Sequence, residues 1–140
     1  MKPAARSILS ILALLAFVPA ISARNSKELD ATPQAKAYRA QLKAVSDGDW
    51  DAYKQATARA AANEDEKMMT ELKKTPKDTL RMIGMMAPKE VTFTGLEVNG
   101  SKAVLHAKGM MDGEMNTGKI ELVREDGQWK VGKQSWTNAK

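Results

Sequence analysis

The chain is 140 residues long, 43% hydrophobic and 28% charged, with nine Gly, five Pro and no Cys, a composition that excludes collagen-like and disulfide-stapled folds. Its 22 Lys and Arg against 17 Asp and Glu give a formal charge of +5, but both signs are mixed along every segment, as on a solvated surface rather than a nucleic-acid-binding stripe. One globular domain with no nucleic-acid partner is the expectation.

Residues 1–23 differ from everything after them: Lys2 and Arg6 precede an 11-residue apolar stretch at 8–18 whose one polar residue is Ser10, and Pro19, Ala20, Ser22 and Ala23 follow. Such a segment reads as a secretory signal peptide, since a helix crossing the bilayer core needs roughly 20 apolar residues. Cleavage after Ser22 or after Ala23 fits equally, so the expected product is periplasmic or extracellular and has no stable membrane span. Its removal takes away Lys2 and Arg6 and lowers the charge from +5 to +3. Without cysteine there is no disulfide and no thiol chemistry.

Residues 24–32 are polar and aperiodic, the pattern of a disordered leader, and a single domain is expected over 33–140. Thr32 followed by Pro33 marks a helix start. Ala35, Tyr38, Leu42 and Val45 then recur at helical spacing, and Gly48 ends the helix. Asp49 caps a second helix that carries Trp50 and Tyr53 and runs to about Ala62. A further piece at 63–74 contains Met68, Met69 and Leu72. Thr75 and Pro76 repeat the start signal, with Asp78 placed to complete a capping box, and Pro88 closes the helix that carries Met82 and Met86.

From Val91 the hydrophobic period switches to two, between the turn pairs Asn99-Gly100, Asp112-Gly113 and Asp126-Gly127. Two-residue turns at the last two pairs set Leu105 opposite Ile120, Ala103 opposite Leu122, Leu122 opposite Val131 and Arg124 opposite Trp129. Ala103, Leu105, Ile120, Leu122 and Val131 thereby share an apolar face, while Val104, His106, Lys108, Lys119, Glu121 and Lys130 share a wet one. Phe93 and Val123 are also expected on the wet face. An apolar sheet face needs a cover, and the preceding helices are the only candidates. The fold class is therefore α+β, N-terminal helices packed on a curved antiparallel sheet of about four strands.

Residues 38–51 with their Gly48-Asp49 break, residues 91–104 with the hairpin Gly100, and residues 122–131 with Gly127, Trp129 and Lys130 resemble small exported members of the nuclear-transport-factor-two-like superfamily. That superfamily also holds ketosteroid isomerases and SnoaL-like cyclases. The resemblance implies a cone-shaped, cystatin-like roll whose open end is often a pocket. Its motifs are structural and carry no chemistry, and the exported members nearest in pattern are mostly of unassigned function.

The expected pocket lining is Tyr38, Trp50, Tyr53, Met82, Met86, Leu105, Ile120 and Trp129. No catalytic residue, cofactor or metal is expected. His106, the only histidine, faces solvent beside Lys119 in the predicted register. The methionines read as flexible gap fillers of a core or pocket, although soft thioethers at 82, 85 and 86 also suit Cu(I). With one His and no Cys, zinc lacks its usual ligands. Lys73, Lys74 and Lys77 form a solvated basic junction. The functional expectation is a monomer or weak homodimer that binds a small apolar ligand or a protein partner. The alternatives are an isomerase or dehydratase using Tyr38, Tyr53 or Asp49, and Cu(I) handling.

Overall fold

The computed structural model describes residues 25–139, so the expected signal peptide lies outside the described residues. Helices come first: α1 (Ser26–Asp30), α2 (Pro33–Asp47), α3 (Trp50–Ala56), α4 (Arg59–Glu71) and α5 (Pro76–Met85). The strands β1 (Lys89–Asn99), β2 (Lys102–Met111), β3 (Glu114–Glu125) and β4 (Gln128–Asn138) follow as an antiparallel meander in the order β1-β2-β3-β4. The sheet curves without closing, and the helices cover its concave face. The α+β class is as expected.

Local chemistry fixes the helix starts. Thr32 Oγ1 accepts the Ala35 N–H at 3.2 Å, Asp49 Oδ1 the Ala52 N–H at 3.0 Å, and Thr75 Oγ1 the Asp78 N–H at 3.1 Å. The reciprocal half of the expected capping box is missing. Asp78 is one methylene shorter than the Glu such a box uses, and it turns to Arg81 at 3.7 Å instead.

The second helix is shorter than expected and stops at Ala56. Thr57 leaves the helix for extended backbone and pairs in parallel with Val131 of β4, and the Ala58 N–H donates to the Val131 carbonyl at 2.8 Å. Tertiary pairing thus breaks an alanine-rich run whose own propensity would continue. Met68 and Met69 belong to α4, which restarts at Arg59.

The leader is also corrected. Within 24–32, Asn25 caps α1 by accepting the Glu28 N–H at 2.9 Å, and Leu29 is 1% exposed in the main core. A five-residue helix has almost no stability of its own. It is held by that one buried side chain and by Arg39, whose guanidinium bonds Asp30 at 3.0 Å and the Val91 carbonyl at 2.8 Å while lying over the Phe93 ring.

Both predicted hairpins keep their register: Leu105 opposes Ile120, Ala103 opposes Leu122, Leu122 opposes Val131 and Arg124 opposes Trp129. Asp112 and Asp126 adopt φ of 50° and 52°, with Gly113 and Gly127 also at positive φ. Such turns match the twist of the flanking strands and need residues that tolerate the left-handed region.

The register changes elsewhere. In β1 it shifts between Phe93 and Gly95, which turns Phe93 inward, 1% exposed, and against Tyr38 edge-on, so it leaves the wet face. In β4 it shifts between the partners of Leu122 and Ile120, so that Gln134, not Lys133, stands opposite Ile120.

Among the described residues the methionines do not fill the core. Met68, Met69, Met82, Met110 and Met111 are half-buried, and Met85, Met86 and Met115 are exposed.

Leu29→Ala is expected to destabilise the fold by roughly 2–5 kcal/mol in denaturant melts, while Lys27→Ala, on the exposed side of the same helix, stays within about 0.5 kcal/mol. Equal effects would show that α1 does not belong to the domain.

Candidate functional site

Tyr38, Gln41, Leu42 and Val45 lie on one face of α2, because their spacing of three, four and seven residues returns to the same side of a helix. α5 and the chain after it bring Ile83, Met86, Ala87 and Pro88 to the opposite wall. The inward side of β4 supplies Gln134 and Trp136. Together these residues enclose a cleft of about 300 Å³ at the mouth of the roll.

Two features shape its floor. The Trp136 indole lies flat on Gly118, where an added Cβ would come within 2.6 Å of the ring, so only glycine lets the ring and the sheet backbone approach this closely. The second is a run of hydrogen bonds centred on Gln134. Its Oε1 accepts the Tyr38 hydroxyl and the Trp136 Nε1–H, each at 3.0 Å, and its Nε2 donates to Gln41 Oε1 at 3.5 Å. Gln41 Nε2 donates to Thr57 Oγ1 at 2.9 Å, and that hydroxyl donates to the Tyr53 carbonyl at 2.6 Å. Gln41 and Thr57 are both buried, so their polar atoms need these partners. The polar floor is occupied by its own bonds while the walls stay apolar.

The cleft is also electrostatically quiet. Tyr38 is the only titratable group in its lining. Burial pushes its phenol far above the usual tyrosine range, outweighing the Arg39 charge and the Trp136 N–H that pull it down. It is a neutral donor at any physiological pH.

A second tyrosine makes a different contact. Tyr53 donates to Asp65 Oδ2 across α3 and α4 at 2.7 Å, and Trp50 stacks on its ring with centroids 5.4 Å apart. Burial, helped by the Asp65 bond and charge, raises the Tyr53 phenol well above its usual range. Asp65 is itself raised by desolvation, against the pull of the Tyr53 hydroxyl. Asp49 only caps α3 and is exposed.

Of the expected lining, Tyr38 and Met86 meet in the cleft. Leu105 and Ile120 are completely buried core, and Trp50 and Tyr53 belong to a satellite cluster with Val45 and Leu80. Trp129 walls a separate groove of about 690 Å³ between α2, α3 and the β3–β4 turn, floored by Ala37, Ala40, Ala44, Ala52 and Ala56. Met82 is half-buried outside the cleft lining, and Met85 is 77% exposed. The expected single pocket is therefore divided among separate places. Gln41, Gln134 and Trp136 were missing from it, and Gly132 in mid-strand was the available signal, since such a glycine marks a bulge.

β2 and β3 pair without a register shift, so His106 stays beside Lys119 on the outer face, half-exposed and 3.6 Å from Glu97. Among the described residues no cluster of three or more His, Asp or Glu is placed to hold a metal ion. No protein-family model, curated protein or solved structure matches the chain.

Gln134→Leu removes the shared acceptor of Tyr38 and Trp136 and the donor to Gln41 at nearly constant volume. A loss of about 1–3 kcal/mol in urea melts is expected, and an unchanged midpoint would show that the network is unimportant. A second measurement uses pH. The two tyrosines have folded-state values raised above the unfolded value of about 10, so their contribution is complete below that pH and is lost above it. Stability should fall by at most about 1.4 kcal/mol per pH unit per tyrosine. Phenolate absorbance should appear only together with unfolding, and phenolate in the folded protein near pH 10 would contradict the burial described.

Proposed function

We propose that the protein is an exported, non-catalytic binding domain that takes an apolar group into the cleft at the mouth of the roll. Export is read from residues 1–23, and among the described residues no helix is long and apolar enough to cross a membrane. Membership of the nuclear-transport-factor-two-like superfamily is part of this proposal, supported by the order of helices before a curved meander.

One observation carries the binding reading. Apolar walls, including Met86 at 64% exposure, stand over a floor whose polar atoms bond one another and whose only titratable group stays neutral. Burying an exposed methionine against a ligand is favourable by about 1.5–3 kcal/mol, and its flexible thioether adapts to varied shapes. A volume of about 300 Å³ stands at the lower end of ligand pockets. It suits a small apolar molecule or one apolar side chain of a partner protein.

The Tyr53–Asp65 bond is the observation that favours isomerase or dehydratase chemistry, because a raised carboxyl beside a phenol is the kind of pair such reactions use. Trp50 is stacked on that ring, and neither residue of the pair lines the cleft, so no substrate space adjoins it there. The passive reading is preferred for that reason.

Titration with the neutral dye N-phenyl-1-naphthylamine tests the proposal. Its fluorescence should rise on binding, Met86→Glu should weaken binding about tenfold, a cost of about 1.4 kcal/mol, and Met115→Glu outside the cleft should leave it unchanged. Absence of binding, or equal loss in both variants, would refute the cleft as a site.

A further inference from the structure

The outer face of the sheet contains a depression of about 420 Å³ that is unrelated to the cleft. Two cross-strand rows build it. His106, Lys119 and Ser135 stand side by side in one, and Lys108, Thr117 and Thr137 in the next. Thr94, at the β1 bulge, completes the rim, and Ala107 and Gly118 contribute to the lining.

Its chemistry is one-sided. The lining contains two ammonium groups, an imidazole and four hydroxyls, and no carboxylate. Lys108 and Lys119 occupy diagonal positions on neighbouring strands, a spacing of about 7–8 Å at which both can reach one small ligand. Among the described residues neither forms an ion pair. Glu97 and Glu121 border the site from the adjacent row, and Glu97 is engaged with His106 at 3.6 Å. Two like charges placed together without a partner repel each other, and an anion seated between them removes that repulsion.

We propose that this depression binds the phosphate group of a small, soluble phosphomonoester. Lys108 and Lys119 supply charge-assisted hydrogen bonds, and Ser135 donates to a further oxygen together with one of the Thr117 and Thr137 hydroxyls, which lie 3.4 Å apart and bond each other. A tetrahedral dianion uses donors arriving from several strands, as they do here. The recess favours a compact headgroup over a flat bilayer, and the free volume leaves room for a short alcohol attached to the phosphate.

The test is a ¹H–¹⁵N NMR titration of the full chain with inorganic phosphate and with glycerol 3-phosphate, beside sedimentation with phosphatidylglycerol vesicles. Saturable shifts are expected at Lys108, Thr117, Lys119 and Ser135 with both soluble probes. Lys108→Gln and Lys119→Gln, both at exposed positions, should each weaken binding about tenfold, while Lys36→Gln on the helical side leaves it unchanged. Non-saturating shifts spread over all lysines, equal weakening by Lys36→Gln, or binding to vesicles alone would each overturn the proposal.

Discussion

The site depends on one extra residue in β4. Counting outward from the β3–β4 turn, an unbroken ladder would set Lys133 against Ile120 and Ser135 against Gly118, both on the helix-facing side of the sheet. The bulge after Val131 advances the strand by one residue and places Gln134 and Trp136 there instead. The same shift gives the inner face an amide and an indole whose polar atoms find partners, and puts Ser135 and Thr137 outside. Both the cleft floor and the hydroxyl-bearing side of the outer depression follow from this single irregularity.

From its exposed position on the helix-facing side, Gln134 organises the groups around it. An amide is suited to this, having an acceptor oxygen for the Tyr38 and Trp136 donors and an N–H for Gln41. The run of bonds through Gln41 to Thr57 reaches the point where α3 breaks and the chain pairs with Val131. The helical layer and the last strand are thus joined by polar contacts as well as by apolar packing. Because every group along it is neutral at physiological pH, the floor is suited to holding shape rather than to moving protons. The outer face differs in kind: its lysines and hydroxyls are exposed and poised for an anion. The sheet separates two environments only one strand-thickness apart.

Much of this was legible from residue order. The Asp-Gly turns fixed the pairing of three strands, since a two-residue loop leaves no freedom of register. Thr-Pro and Gly-Asp pairs located the main helix starts. Periodicity missed features decided by contacts between distant segments. Leu29 has no apolar neighbours at helical spacing, yet the core covers it. Phe93 alternates as if outward until a bulge reverses it. Thr57 leaves a helix because Val131 offers a better partner. The expected lining divides for the same reason: Tyr38 and Met86 meet in the cleft, while the most inward of its side chains, Leu105 and Ile120, are sealed in the core. Glycine in mid-β4 was the one local sign of the bulge.

The direct test of that bulge is a nuclear Overhauser experiment on the Trp136 indole. Contacts from its ring protons to the Hα of Gly118 and to the Gly109 backbone are predicted, because the ring lies against both. Contacts to the Thr117 and Lys119 side chains instead would place Trp136 on the outer face and contradict the account.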